Sequence, residues 1–146
     1  MRTQAQFLHT IEHHAQVVGF AAPQDLQWYL AVLLADHLRD PDLVPGSSYA
    51  EQYFLAAQHR DPVQFRRLAD TLLLAVSVMP ELGRRRGIAV SYYQGLAQVS
   101  YRIWADRTQD LRGYQLSEWF PYLRQFLETL FGNGRQQLDL FDPWTR

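Results

Sequence analysis

Cysteine and lysine are both missing from the 146 residues. Without cysteine the chain has no disulfide, no thiolate metal site and no thiol nucleophile, and a reducing compartment, the cytoplasm, is where it is expected. Without lysine, all fourteen basic side chains are arginine, a bias that genome composition explains as readily as function. Net charge is also scarce: it is −1 at pH 7, so direct nucleic-acid contact and attraction to acidic membranes are not expected of the chain as a whole. No apolar run is long enough to span a bilayer, and Met1 to Thr10 has no apolar signal core. No glycine spacing suits a phosphate cradle, and no strand pattern stands out.

What remains is a globular composition, 47% apolar and 20% charged, in a chain long enough for one domain with a real core. The periodicity is helical throughout. We expect an all-α fold, a compact bundle of about six helices over residues 1–131, followed by a flexible C-terminal tail over 132–146. The centre of the bundle should be a helical hairpin from Phe65 to Asp106. Leu68, Leu72, Leu73, Leu74, Ala75, Val76 and Val78 supply its first arm, and Tyr92, Tyr93, Leu96, Val99, Tyr101, Ile103 and Trp104 its second.

The boundaries follow from local chemistry. A first helix runs from about Thr3 to Val18, with Phe7, Leu8, Ile11, Ala15 and Val18 inward and Gly19 as its stop. A second runs from about Pro23 to Leu38. Arg39 to Ser48 reads as a loop. Ser48 and Glu51 have capping-box spacing at the head of a third helix, whose apolar face would be Tyr53, Phe54, Ala56 and Ala57. Asp61-Pro62 starts the fourth, and Pro80 requires it to stop by Met79. Ser91 with Gln94 should cap the fifth, which ends near Asp106; Gly95 within it suggests a close approach to another helix. Arg107 to Gln115 is expected to be a polar connection broken by Gly113. A last helix then spans Ser117 to Phe131, with Pro121 in its first turn.

Four features invite a chemical reading. His9, Glu12 and His13 resemble the H-x-x-E-H signature of the inverzincin metallopeptidases, in which i and i+4 histidines share a helix face. The chain shows no pattern for the larger α+β catalytic domain of that family, so histidines on the polar edge of an amphipathic helix explain the match better, and no metal or cofactor is expected. Asp36 and His37 read as a helix-end interaction, since no nucleophile lies near them. Arg84, Arg85 and Arg86 could contact phosphate, but one triplet in a turn reads first as a solvated loop. The tyrosines and tryptophan of the fifth helix read as core.

Two resemblances are visible. The middle of the chain, Leu68-Ala69-Asp70-Thr71-Leu72 through Val78-Met79-Pro80-Glu81, then Arg86 to Tyr93 and Ser100-Tyr101-Arg102, looks like a family of uncharacterised bacterial proteins, which implies a bacterial source and no particular activity. The pentapeptide Gln137-Leu138-Asp139-Leu140-Phe141 resembles the Q-L-[S/D]-L-F motif by which bacterial replication and repair proteins bind the sliding clamp, the β subunit of DNA polymerase III, and it agrees at all five positions. That resemblance implies a non-enzymatic accessory protein whose Leu140 and Phe141 anchor in an apolar pocket, whose Gln137 bonds at the rim, and whose body binds a further partner or competes for the clamp. The alternative is a helical interaction or oligomerisation module in which Leu138, Leu140, Phe141 and Trp144 cover the bundle.

Overall fold

The computed structural model describes residues 3–37, 48–78 and 90–131. They form six helices and no strand: α1 Gln4–Val18, α2 Gln24–His37, α3 Tyr49–His59, α4 Pro62–Val78, α5 Val90–Thr108 and α6 Arg112–Phe131. The expected all-α bundle is what is found. None of these helices is long and apolar enough to cross a membrane.

Among the described helices the α4–α5 pair has the most extensive packing, with α5 on α6, α1 on α2 and α4 on α6 next. Along α4, Leu68, Ala69, Asp70, Leu72, Leu73, Leu74, Ala75 and Val76 are all buried. Burial of eight residues in a stretch of nine means that neighbours cover this helix on nearly every side, as its dense apolar run demands. Arg66 meets Trp104 and Asp70 meets Tyr101, so α4 and α5 run antiparallel. Ala105 meets Gly113 and Gln98 meets Ser117, so α6 returns antiparallel to α5.

Caps fix most of the starts and stops. Thr3 and Gln6 form a reciprocal capping box, Thr3 Oγ1 accepting the Gln6 N–H at 3.2 Å and Gln6 Oε1 accepting the Thr3 N–H at 2.7 Å. Gly19 ends α1 at φ 73°, a left-handed conformation that costs glycine little. Ser48 accepts from the Glu51 N–H at 3.1 Å, and Asp61 from the Val63 N–H at 3.0 Å, as their residue types lead one to expect.

Several expectations need correction. The inward face of α3 is Tyr49, Tyr53 and Ala56, at spacings of four and three; Phe54 and Ala57 point outward. Ser91 lies inside α5, one residue after its first described position, and does not cap it. The helix continues to Thr108, where Gln109 turns left-handed and returns its N–H to the Ala105 carbonyl at 2.8 Å. The largest difference is at α6, which starts at Arg112 and not at Ser117. Asp110 holds its first turn by accepting the Arg112 N–H at 3.0 Å. Gly113 is therefore a helical residue. A Cβ there would stand 2.6 Å from both the Ala105 Cβ and the Tyr101 carbonyl oxygen, so the residue is a contact point for α5. The close approach foreseen at Gly95 is at Gly113 instead; a Cβ at Gly95 would meet open space.

Pro121 falls in the middle of α6, not in its first turn. It has no N–H for the carbonyl of Ser117, one turn back, and that carbonyl lies in a buried stretch. The Gln98 side chain of α5 supplies the missing donor, its Nε2 lying 2.9 Å from the Ser117 oxygen. A mid-helix proline is tolerated because the neighbouring helix repairs the hydrogen bond it removes.

Candidate functional site

The strongest concentration of polar chemistry lies between α2, α4, α5 and the start of α6. Asp70 is buried in the central helix at 5% exposure. Its Oδ1 accepts two hydrogen bonds of 2.7 Å each, from the Tyr29 hydroxyl of α2 and the Tyr101 hydroxyl of α5. One carboxylate thus ties three helices together. Burial raises its pKa from the ordinary aspartate range, against the two phenol bonds and the more distant charges of His37 and Arg66, which act the other way. The phenols of Tyr29 and Tyr101 are also pushed up, first by burial and then by the Asp70 charge, so both keep their protons and remain donors.

Beside this node lies an arginine–aromatic cluster. Arg66, one turn before Asp70, places its guanidinium carbon 5.7 Å from the centre of the Trp104 ring. Arg112 lies 5.8 Å from the same ring and 5.8 Å from that of Tyr29. Arg107 sits 5.9 Å over Phe65. Arg112 is also ion-paired with Asp110, Nη2 to Oδ2 at 2.7 Å, and this pairing holds the Asp110 carboxyl below its usual range. The Arg66 Nε, like the Arg124 Nε and the Tyr93 hydroxyl, is buried and has no hydrogen-bond partner among the described residues.

Two further places are notable. His14 Nε2 lies 2.9 Å from the Thr129 hydroxyl of α6, and its ring lies against Phe126 at 5.3 Å. The Thr129 hydroxyl already donates its one hydrogen to the Phe126 carbonyl, so His14 must carry its proton on Nε2 and donate. An open cleft of about 490 Å³ lies where α1 turns into α2, lined by Glu12, Gln16, Phe20, Gln24 and Gln27 among others. Its polar lining is three glutamine amides and a single carboxylate, and none of its lining residues is a nucleophile.

The residues singled out in the sequence fare unevenly. His9 and His13 are exposed and Glu12 is half-buried; among the described residues no three of His, Asp and Glu are placed to hold a metal. His37 ends α2 and lies close enough for its charge to act on Asp70. Tyr93, Tyr101 and Trp104 are core as expected, whereas Tyr92 is exposed. Arg84, Arg85 and Arg86, and Gln137, Leu138, Asp139, Leu140 and Phe141 with the rest of the tail, lie outside the described residues. The Asp70 node and the arginine cluster were not foreseen. Asp70 does leave a trace in the sequence, as one ionisable residue inside an otherwise apolar run; Arg66 and Arg112 leave none.

Compared with known proteins, the chain matches no family model, no curated protein and no solved structure.

Proposed function

We propose that this chain is a non-enzymatic accessory protein that docks on the bacterial DNA polymerase III β sliding clamp through Gln137-Leu138-Asp139-Leu140-Phe141 and acts in replication or repair. The observation that carries the reading is the agreement of all five positions with the clamp-binding motif. The chemistry of the peptide suits the role. Leu140 and Phe141 provide two adjacent apolar anchors, Asp139 just before them keeps the segment soluble, and Gln137 offers both a donor and an acceptor at the rim. The motif begins beyond Phe131, where the last described helix ends, which is compatible with presentation by a folded body.

Calorimetric titration of the whole protein, and of a peptide spanning residues 135–146, into a bacterial sliding clamp tests this. A dissociation constant near micromolar for both, about −8 kcal/mol, is expected. Leu140→Ala combined with Phe141→Ala should abolish the binding and leave the helical circular dichroism unchanged. Binding that survives the double substitution sinks the proposal.

The second reading, a helical interaction module with a structural tail, is favoured by a different observation. On α3, Phe54 is 68% exposed and Leu55 48%, an apolar side with no helix packed over it among the described residues. Under that reading, removal of residues 136–146 lowers the melting temperature by several degrees and the clamp titration is silent.

A further inference from the structure

We infer that the cleft between α1 and α2 binds a protonated primary amine. The inference is independent of the tail and of clamp docking. It starts from an imbalance between two helix ends that meet there: Gly19, which ends α1, and Gln24, which opens α2, both line the cleft. The positive end of α2 is answered. Asp25 stands in its first turn and accepts the Leu26 N–H at 3.0 Å, and the Pro23 carbonyl accepts from Leu26 and Gln27. The negative end of α1 is not. Its last turn holds no basic side chain. Its Ala15 carbonyl takes both the Gly19 and the Phe20 N–H, which leaves the Gln16, Val17 and Val18 carbonyls without a donor among the described residues. Glu12, one turn before Gln16, adds a half-buried carboxylate to the same cleft, and among the described residues it has neither an ion pair nor a hydrogen bond. No basic side chain is among the lining residues, so the cleft carries uncompensated negative charge.

The surroundings narrow the cation. A volume of about 490 Å³ is that of a small-molecule site and far exceeds a bare ion. A divalent metal of the calcium type also asks for several carboxylate or carbonyl ligands drawn close together, and the lining has one carboxylate. The remaining polar groups are glutamine amides on both helices. Gln27 donates from Nε2 to the Ala22 carbonyl at 3.0 Å, which holds the amide in place and leaves Oε1 as an acceptor. An ammonium has three donors and no acceptor, and suits one carboxylate with separate amide oxygens. A guanidinium presents a flat fork that asks for paired acceptors in one plane. Phe20, the aromatic residue of the lining, gives the alkyl part of the amine an apolar wall.

The test is a titration of the full-length ¹⁵N-labelled protein with n-butylammonium chloride at pH 7.5 and constant ionic strength, about one unit above the ordinary histidine value. The Gln27 side-chain amide and the Gly19 backbone N–H resonances report it. Saturable movement of both in the millimolar range is expected, and none with n-butanol, which has the same alkyl chain without the charge. Glu12→Gln should weaken the binding about tenfold, the effect of one charged hydrogen bond. Gln16→Arg, which places a cation at the end of α1, should abolish it. Glu51→Gln makes the same change in net charge as Glu12→Gln but on α3, outside the lining, and should leave it unchanged. Thermal melts establish that each variant is folded, and Gln16→Arg, at an exposed helix position, decides the matter if the Glu12 variant is not. A response that is linear and unsaturated, equal for n-butanol, or retained in both Glu12→Gln and Gln16→Arg overturns the inference. N-acetyl-lysine N-methylamide distinguishes the source. If it moves the same two resonances at lower concentration than butylammonium, the amine is a lysine side chain on a peptide; if it does not, while butylammonium does, the ligand is a free small amine.

Discussion

The inner helices and the outer one are fastened by different physics. Between α2, α4, α5 and α6 the fastenings are directional. Two phenols meet one Asp70 oxygen, Gln98 completes the Ser117 carbonyl, and Gly113 lets the backbones of α5 and α6 approach. Between α6 and the end of α1 with the turn that follows it, they are mostly rings. Phe20, just past the Gly19 cap, stacks on Phe126 at 4.4 Å and meets Trp119 edge-on at 5.9 Å, and the His14 ring of α1 lies 5.3 Å from that of Phe126. Ring packing stabilises through area and adjusts to small displacements. A hydrogen bond in a buried site specifies direction, and leaves an orphan group when one partner goes. The inner part of the bundle therefore sets the geometry of the fold, while the attachment of α1 contributes stability with less constraint on angle.

The sharpest way to break this contrast is at Asp70. Asp70→Leu leaves two buried phenols without an acceptor and should cost about 2–4 kcal/mol, even though it removes a buried carboxyl. Asp70→Asn keeps an oxygen with two acceptor positions and should stay within about 1 kcal/mol of the parent. The two also differ in pH dependence. The folded Asp70 carboxyl holds its proton to a higher pH than the same group in the unfolded chain. From the ordinary aspartate value upward the native state therefore binds the extra proton, and the contribution of Asp70 to stability falls as pH rises through that interval. Urea unfolding at pH 4 and pH 7 should show this component in the parent and its loss in Asp70→Asn. A leucine variant as stable as the parent at both pH values means that the node constrains nothing.

A smaller effect tests whether the Gln98 bond exists because of Pro121. Gln98→Leu should cost about 1–2 kcal/mol, the penalty for a buried carbonyl without a donor. In a Pro121→Ala background the helix supplies its own N–H to the Ser117 carbonyl, and most of the cost of Gln98→Leu should disappear. Equal costs in the two backgrounds, measured by denaturant unfolding, would separate the two residues.

These contacts also show which parts of the molecule were legible in the sequence. The starts of α1, α3 and α4 are written in a few adjacent residues, Thr3 to Gln6, Ser48 to Glu51 and Asp61-Pro62, so local rules find them. The apolar density of α4 announces the core for the same reason. The start of α6 is different. By local rules Gly113 is a breaker and Pro121 belongs near a helix end, but the reasons they are helical here, the Tyr101 carbonyl, Ala105 and the Gln98 amide, lie on another helix. Gly95, which local reasoning gave a packing role, has none because its side of α5 faces open space. The candidate sites divide along the same line. The pentapeptide from Gln137 to Phe141 is readable because a peptide motif carries its chemistry in consecutive residues. The Arg66–Trp104–Arg112 cluster joins three helices and exists only once the chain has folded.

The mildest expected effect belongs to the α1–α6 seam and runs opposite in sign to that of Asp70. Burial, with the neighbouring His13 charge, lowers the pKa of His14 below the ordinary histidine value. The neutral ring with its proton on Nε2 already satisfies Thr129, so a second proton adds charge to a partly desolvated site and no new partner among its known contacts. In the unfolded chain that proton binds first, at about pH 6.5. As pH falls through this value toward the lower folded-state value, the unfolded state binds more protons and stability is lost. Because His14 is partly open to water, screening keeps the change to a fraction of a kcal/mol, roughly that of other half-exposed charges. His14→Phe keeps a ring against Phe126 and cannot titrate. The difference in melting temperature between parent and variant should therefore grow in the variant's favour between pH 7.5 and pH 5.5, about the range spanning histidine titration. A constant difference across that range would mean that the seam is held by its rings alone and that the His14–Thr129 bond adds nothing sensitive to protonation.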